Sequence, residues 1–351
     1  MNKNKNIIGI PRAMSYFNFF PFWYGFFNAL GIEVVLSDKT TKKIVSSGSA
    51  LVVTETCLPI KVYMGAILNL LEKGIEKIFV PSLQSFAPKI YNCSKIRGLP
   101  DMVRNVVKQK FTMIEATLDK SEKNHGLYEF LTEIASHFHI SDFKKIKEAS
   151  KQAWRMYNNF QIMTKSGMAH DDALKNAIEG KIQLNLKANK QYPINVAVVS
   201  HAYNVFDEHI SMKLLKKLEN MGARAFTSEQ LTVQQLEEGI NAFGQGKYWA
   251  NEHEMTGCAG HYIQDNRIDG IITLTAFGCG PDSLMIERIM RGAKTYNKPL
   301  LHLTIDEHTG EAGFITRLEA FVDMLYRKKR ANLLNRDIKD KIANVVENTS
   351  L

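Results

Sequence analysis

The strongest constraint on this chain is an alternation that runs along it twice: short, wholly apolar segments, each followed by a stretch of helical periodicity. In the first third, NIIGI (6–10), IEVVL (32–36), ALVVT (50–54) and KIFVP (77–81) read as strands. Between them lie the aromatic run after Pro21, ending near Gly31, a short helix around 40–47, and a helix from Leu58 to Lys73 stopped by Gly74. Strands without a polar face are buried on both sides, which requires a parallel sheet covered by helices front and back. The alternation resumes at INVAVVSHAYN, with a helix from Ile210 to Met221, the strand ARAFT and helices at about 231–242 and 248–265. It closes with the strand DGIITLTAF, a helix over 282–297, the strand PLLHLTID and a terminal helix beginning near Gly313.

Residues 122–190 lack strong strands and carry helical periodicity, with Ser141 as a plausible N-cap. The expected architecture is α/β: two Rossmann-like doubly wound lobes with mainly parallel sheets, joined by a helical segment. The boundaries read as an N-terminal lobe over 1–121, a helical connection over 122–190, a C-terminal lobe over 191–326 and a basic helix over 327–351. In sheets of this kind ligands gather at the carboxyl ends of the strands.

Composition narrows the function classes. With 45% hydrophobic and 23% charged residues, the 351-residue chain has the balance of a soluble globular protein. No apolar run reaches the roughly 18 residues needed to span a bilayer. The nearest, YFNFFPFWYGFFNAL (16–30), is broken by Pro21 and Gly25 and follows a strand rather than a basic segment, so it is not read as a signal peptide. Its Phe19, Phe20, Phe22, Trp23 and Phe26 are most simply core. No membrane association is expected, and cytoplasmic residence is the default. The net charge of +9 is scattered apart from Arg327-Lys328-Lys329-Arg330, which reads as a solvated helix face. Zinc-finger spacing and RNP motifs are absent, so no nucleic-acid partner is expected. No GxGxxG or phosphate-loop string follows a strand, so ATP binding by this chain is not expected either.

Chemistry concentrates on the cysteines. The four, Cys57, Cys93, Cys258 and Cys279, are far apart with no CxxC pair, which is not a disulfide framework. Cys57 follows ALVVT and precedes the helix opened by Leu58-Pro59. Cys279 stands between Gly278 and Gly280, where IITLTAF stops and a helix begins near Asp282. Cys93 lies in the loop SFAPKIYNCSKIRGLPDM, before a helix starting near Pro100. All three fall on the ligand side of the lobes, and Cys57 and Cys279 stand at helix N-termini, where the dipole favours a thiolate. Gly278 and Gly280 let backbone approach a bulky ligand and offer N–H donors to it. Three converging thiolates suit an iron–sulfur cluster with one iron open, or zinc with His261 or water as fourth ligand. Three unrelated buried cysteines account for the positions equally well.

Other groups carry weaker readings. Cys258 sits inside the helix ANEHEMTGCAGHYI, as packing or as an auxiliary ligand. Lys61 and Arg288 lie near the helix starts, where each suits an anionic cluster or CoA phosphates; for Arg288 a salt bridge with Glu287 or Asp282 is the equal alternative. Asp306, Glu307, His308 and Glu311, in DEHTGEAG, are expected to bind loop backbone at the lobe interface rather than form a metal or acid–base site. Asp207, Glu208 and His209 form a second acidic-histidine group, for which a two-metal hydrolase is the less favoured reading.

Taken together, TETCLPIKVYMG, YNCSKIRGLPDMVRN, SHAYNVFD, TAFGCGPDSL and DEHTGEAGFITRLEAF resemble the DUF2229 family. These are the activase-related relatives of 2-hydroxyacyl-CoA dehydratases and of double-cubane cluster proteins, and the similarity runs in order from about residue 6 to 326. The resemblance implies an oxygen-sensitive cluster held at Cys57, Cys93 and Cys279, and a partner ATP-dependent activase, with its own cluster, that delivers low-potential electrons. It also implies a homologous second subunit or a homodimer. Double-cubane members use more cysteines than the four here, which favours a single 4Fe–4S cluster. Under this reading the chain passes electrons to a substrate at the open iron, as a reductase or dehydratase component. The alternatives are a non-catalytic electron-transfer or assembly subunit, and a zinc-binding α/β protein.

Overall fold

The computed structural model describes residues 6–184, 191–244 and 249–349. Parts of the expected boundaries, at 1–5, 185–190, 248 and 350–351, lie outside the described residues. The first lobe runs β1 (Ile7–Ile10), α1 (Tyr16–Ala29), β2 (Glu33–Leu36), α2 (Lys42–Ser49), α3 (Leu58–Glu72) and β3 (Lys77–Phe79). It continues through β4 (Ser82–Ala87), β5 (Ile90–Tyr91), α4 (Ser94–Arg97), α5 (Leu99–Val106), β6 (Thr112–Ile114) and β7 (Thr117–Asp119). The connection holds α6 (Leu127–Ser136), α7 (Phe143–Lys165) and α8 (His170–Ile178). The second lobe runs β8 (Ile194–Val199), α9 (Ala202–Val205), α10 (Leu214–Asn220), β9 (Ala223–Phe226), α11 (Val233–Asn241), α12 (Thr256–Gln264), β10 (Gly270–Ala276), α13 (Gly280–Thr295) and β11 (Leu300–Ile305). The helix α14 (Glu311–Thr349) follows and includes the basic run.

Both main sheets are parallel and share one strand order. The first is β2-β1-β3-β6 and the second β9-β8-β10-β11, so each lobe reads second, first, third, last. In that order the chain reverses direction between the first and third strands, and this is where ligands bind in open α/β sheets. All seven residues of β10 are buried, as an apolar central strand requires.

Each lobe also repeats one packing device. After its second strand comes a pair of helices pressed together at glycines. A Cβ on Gly48 would lie 1.8 Å from the Lys61 carbonyl oxygen, and one on Gly65 1.9 Å from that of Ile44. In the second lobe a Cβ on Gly239 would lie 2.0 Å from the Gly257 oxygen, and one on Gly260 1.9 Å from that of Gly239. Only hydrogen fits at these crossings.

Several expectations are corrected. ALVVT is not a strand: Ala50 ends α2, residues 51–56 form turns, and Val53 is 70% exposed. The place beside β1 is taken by β3, and Leu51 and Val52 pack on the core from the turn instead. The short strands β4, β5, β6 and β7 were not foreseen; β5-β4-β7 form a small mixed sheet of their own. Asp142, not Ser141, caps α7, its Oδ1 accepting from the Lys144 and Lys145 N–H groups. The helix expected from Ile210 begins at Leu214, after Met212 and Lys213 turn through positive φ.

The aromatic helix begins at Tyr16, so Pro21 lies inside α1 rather than before it. Proline has no N–H, which leaves the Phe17 carbonyl without its helical partner. His170, the buried first residue of α8, places Nε2 2.9 Å from that oxygen. The same imidazole stacks on Phe206 of the second lobe, with centroids 4.5 Å apart. One side chain therefore fastens the connecting helices to both lobes.

The glycine crossings give a stability prediction. Gly65→Ala forces backbone apart and should cost about 3 kcal/mol or more, whereas Gly313→Ala, whose Cβ would meet nothing, should be neutral or slightly stabilising. Urea midpoints of the two variants check this, and equal midpoints would contradict it.

Candidate functional site

The fold sets three cysteines at helix N-caps. Cys57 caps α3, Cys93 caps α4 and Cys279 caps α13, each with extended ψ. Two such positions were expected and three are found. In both lobes the third strand leads to one of them: β10 passes directly into Gly278-Cys279, while β3 first makes the β4–β5 excursion before Cys93. Pro59, Pro100 and Pro281 open α3, α5 and α13, where a missing N–H costs nothing.

Contact between the lobes brings the thiols into one neighbourhood. Gly278 has φ +74°, and a Cβ on it would lie 2.8 Å from the Glu55 carbonyl oxygen, so the Cys279 turn rests on the turn that leads to Cys57. Electrostatically the thiols are neighbours: a charge on Cys93 is felt at Cys57, one on Cys57 at Cys279, and charges on Cys93 and Cys279 at Tyr203. Among the described residues no three His, Cys, Asp or Glu side chains stand close enough to hold a single metal ion. Burial pushes the Cys57 thiol up, with Lys95 acting against it, and burial followed by the Asp282 carboxylate pushes Cys279 up. With the pKa of both raised, Cys57 and Cys279 are thiols when no metal is bound.

The lysine beside the thiols is Lys95 rather than Lys61. Lys61 is 2% exposed, donates to the Thr54 carbonyl oxygen at 2.8 Å and pairs with Glu307 across the lobe interface. Asp306 caps its own loop, accepting from the His308 N–H and the Thr309 hydroxyl, and Glu311 pairs with Lys217 at 2.7 Å. Asp207 accepts from the Thr40 hydroxyl of the other lobe and from the His209 and Ile210 N–H groups. Both acidic-histidine strings thus serve loops and the lobe interface. Arg288 reaches Glu252 at 3.2 Å rather than Glu287 or Asp282. Cys258 is fully buried in the core of the second lobe, with Met255, Ala259 and Ile263. His261 responds to Asp265, Arg267 and Glu238. Beside Gly280 a Cβ would meet nothing, so this glycine is not demanded by space.

One cluster was missed. His201, directly after β8 and Ser200, is buried, with Nδ1 2.8 Å from Glu254 Oε2 and Nε2 2.8 Å from Asp282 Oδ1. Carboxylates only accept, so both ring nitrogens donate and the ring is an imidazolium. Burial disfavours that charge, but Asp282 and Glu254 outweigh it and push His201 up to about 10. Glu254 Oε1 also accepts from Asn18 Nδ2 of α1 at 2.6 Å, so the network crosses between lobes. Tyr203 stacks on His201 at 5.0 Å, and the second oxygen of Asp282 is buried with no hydrogen-bond partner. The signal was present in SHAYN, a polar string at the carboxyl end of a central strand.

This network has a pH signature. His201 is raised in the folded chain, from 6.5 to about 10, so its stabilisation is complete below pH 6.5 and is lost as pH rises through about 10. The stability difference between wild type and His201→Gln should therefore shrink across that window, by up to roughly 1.4 kcal/mol per pH unit. Denaturant titrations at several pH values check this; parallel curves would contradict it.

No protein of curated function matches the chain. The family profile described as CoA enzyme activase uncharacterised domain (DUF2229) matches residues 7–231. The span covers the first lobe, the connection and the start of the second lobe; Cys57, Cys93 and His201 lie within it and Cys279 beyond it. With most of its length matched in this way, the chain belongs to the DUF2229 family of CoA enzyme activase-related proteins.

Proposed function

We propose that the chain is an iron–sulfur component of an ATP-driven electron-transfer system, with a 4Fe–4S cluster held at Cys57, Cys93 and Cys279 and reduced by a separate activase. The observation that carries the proposal is the assembly of three N-cap thiols from two lobes into mutual electrostatic reach. The raised pKa of the bare Cys57 and Cys279 thiols is no obstacle, since a metal deprotonates the thiol it binds. Three thiolates leave one iron open to a small ligand, and the bound cluster would supply a low-potential electron there. The chain's own part is to hold the thiols, exclude water and place cationic Lys95 and His201 near an anionic core.

One observation favours an electron-transfer subunit over substrate turnover within this chain. The cavity lined by Asn92, Ile96 and Tyr203, next to Cys93, has a volume of only about 40 Å³. By contrast Val53, Phe277 and Leu284 are 70%, 63% and 64% exposed around the Cys57 and Cys279 turns. A cluster beneath an exposed apolar surface suits exchange with a protein partner.

Anaerobic purification with iron and sulfide analysis tests the proposal. Wild type should be brown, with about four iron and four sulfide per chain, and Cys279→Ser should lose most of both. A colourless, iron-free chain after reconstitution, or unchanged iron in Cys279→Ser, would remove the assignment.

A further inference from the structure

A cleft of about 840 Å³ lies between the lobes, at the ends of β1 and β2. That volume falls within the ~300–1,000 Å³ usual for small-molecule sites. Leu58, one residue after Cys57, lines it, but none of the cysteines does. The first lobe contributes Arg12 and the rings of Tyr16, Phe17 and Phe20, and the second contributes Phe206 and Ile210.

Several charges of this cleft are matched from within. Lys39 pairs with Asp171 at 2.7 Å, Glu307 pairs with Lys61, and Asp207 is held by Thr40 and two backbone N–H groups. Arg12 follows β1, with its backbone N–H fixed to the Ser37 hydroxyl at 2.8 Å. Its guanidinium has no ion pair or hydrogen bond among the described residues, and its Nε is buried without a partner. Arg12 is half-buried and its charge reaches the Asp38 carboxylate, but its buried Nε has no partner, and an anionic ligand in the cleft would supply one. The Tyr16 hydroxyl, on the same wall, stands close enough to feel both the Arg12 charge and the Asp171 carboxylate.

We infer that this cleft binds a monocarboxylate with an apolar body, Arg12 and Tyr16 taking the carboxylate and the aromatic wall taking the body. A phosphate is a poorer fit. Carboxylates outnumber the cations Arg12, Lys39, Lys175 and Lys213 along the cleft, so a second negative charge is less well matched than the first, and no glycine-rich phosphate loop is present. The inference does not depend on the cluster and needs no metal.

Isothermal titration calorimetry on the full chain tests it, using hexanoate and 3-phenylpropanoate to distinguish a chain from a ring, with hexanol and inorganic phosphate as comparators. At least one of the two acids should bind, with a negative heat-capacity change, while hexanol and phosphate bind at least tenfold more weakly. Arg12→Leu should weaken binding at least tenfold and Arg12→Lys less. Should Arg12→Leu fail to fold, the Lys variant and Tyr16→Phe give the same readout, each weakening the acid but not hexanol. Absence of binding by both acids to folded wild type, phosphate binding as tightly as the acid, or unchanged affinity in the folded Arg12 variants would overturn it.

Discussion

The arrangement of this protein depends on a buried charge that one lobe cannot neutralise alone. Lys61 lies on α3, almost wholly out of water, and its own lobe offers its ammonium the Thr54 carbonyl. The opposite charge, Glu307, arrives from the loop after the last strand of the other lobe. Breaking such a pair strands a charge in the interior, which typically costs about 3–5 kcal/mol. Separation of the lobes is penalised accordingly. The closed arrangement is also the one in which the Gly278 turn meets Glu55 and Cys279 comes near Cys57.

A second tie is electrostatic as well. The His201 imidazolium lies between Glu254 and Asp282, and Glu254 in turn holds Asn18 of the first lobe. Asp282 is in the first turn of α13, so the ring that anchors it also fixes the helix whose cap is Cys279. Three separate constraints thus place Cys57 and Cys279: a glycine turn with no room for a side chain, an ion pair one helical turn beyond Cys57, and a clamped histidine. Precise placement of this kind is what a rigid inorganic group requires of its ligands.

Much of this was legible in the sequence, for physical reasons. IITLTAF is uniformly apolar and β10 is uniformly buried; the abrupt change to GCGPDS marks a strand end and a helix start together. Pro59 announced the helix that Cys57 caps. ALVVT misled because its apolar residues serve a turn packed on the core, a use that periodicity cannot separate from a short buried strand. Pro21 misled because the carbonyl it orphans is satisfied by His170, far along the chain. The strands around Cys93 are too short and polar to announce themselves. The pairing of Lys61 with Glu307 could not be read in advance, since only the folded interface reveals it. His201 went unread because a lone histidine gives no sign of two carboxylates remote in sequence.

The central claim is that three thiols, remote in sequence, meet between the lobes. Treatment of the reduced, metal-free chain with a short bifunctional thiol reagent, followed by peptide mass spectrometry, tests it most directly. The account predicts Cys57–Cys279 and Cys57–Cys93 cross-links within single chains under native conditions, lost in urea and with Cys258 unlinked. Single-site adducts alone at saturating reagent, in a chain shown to be folded, would contradict it.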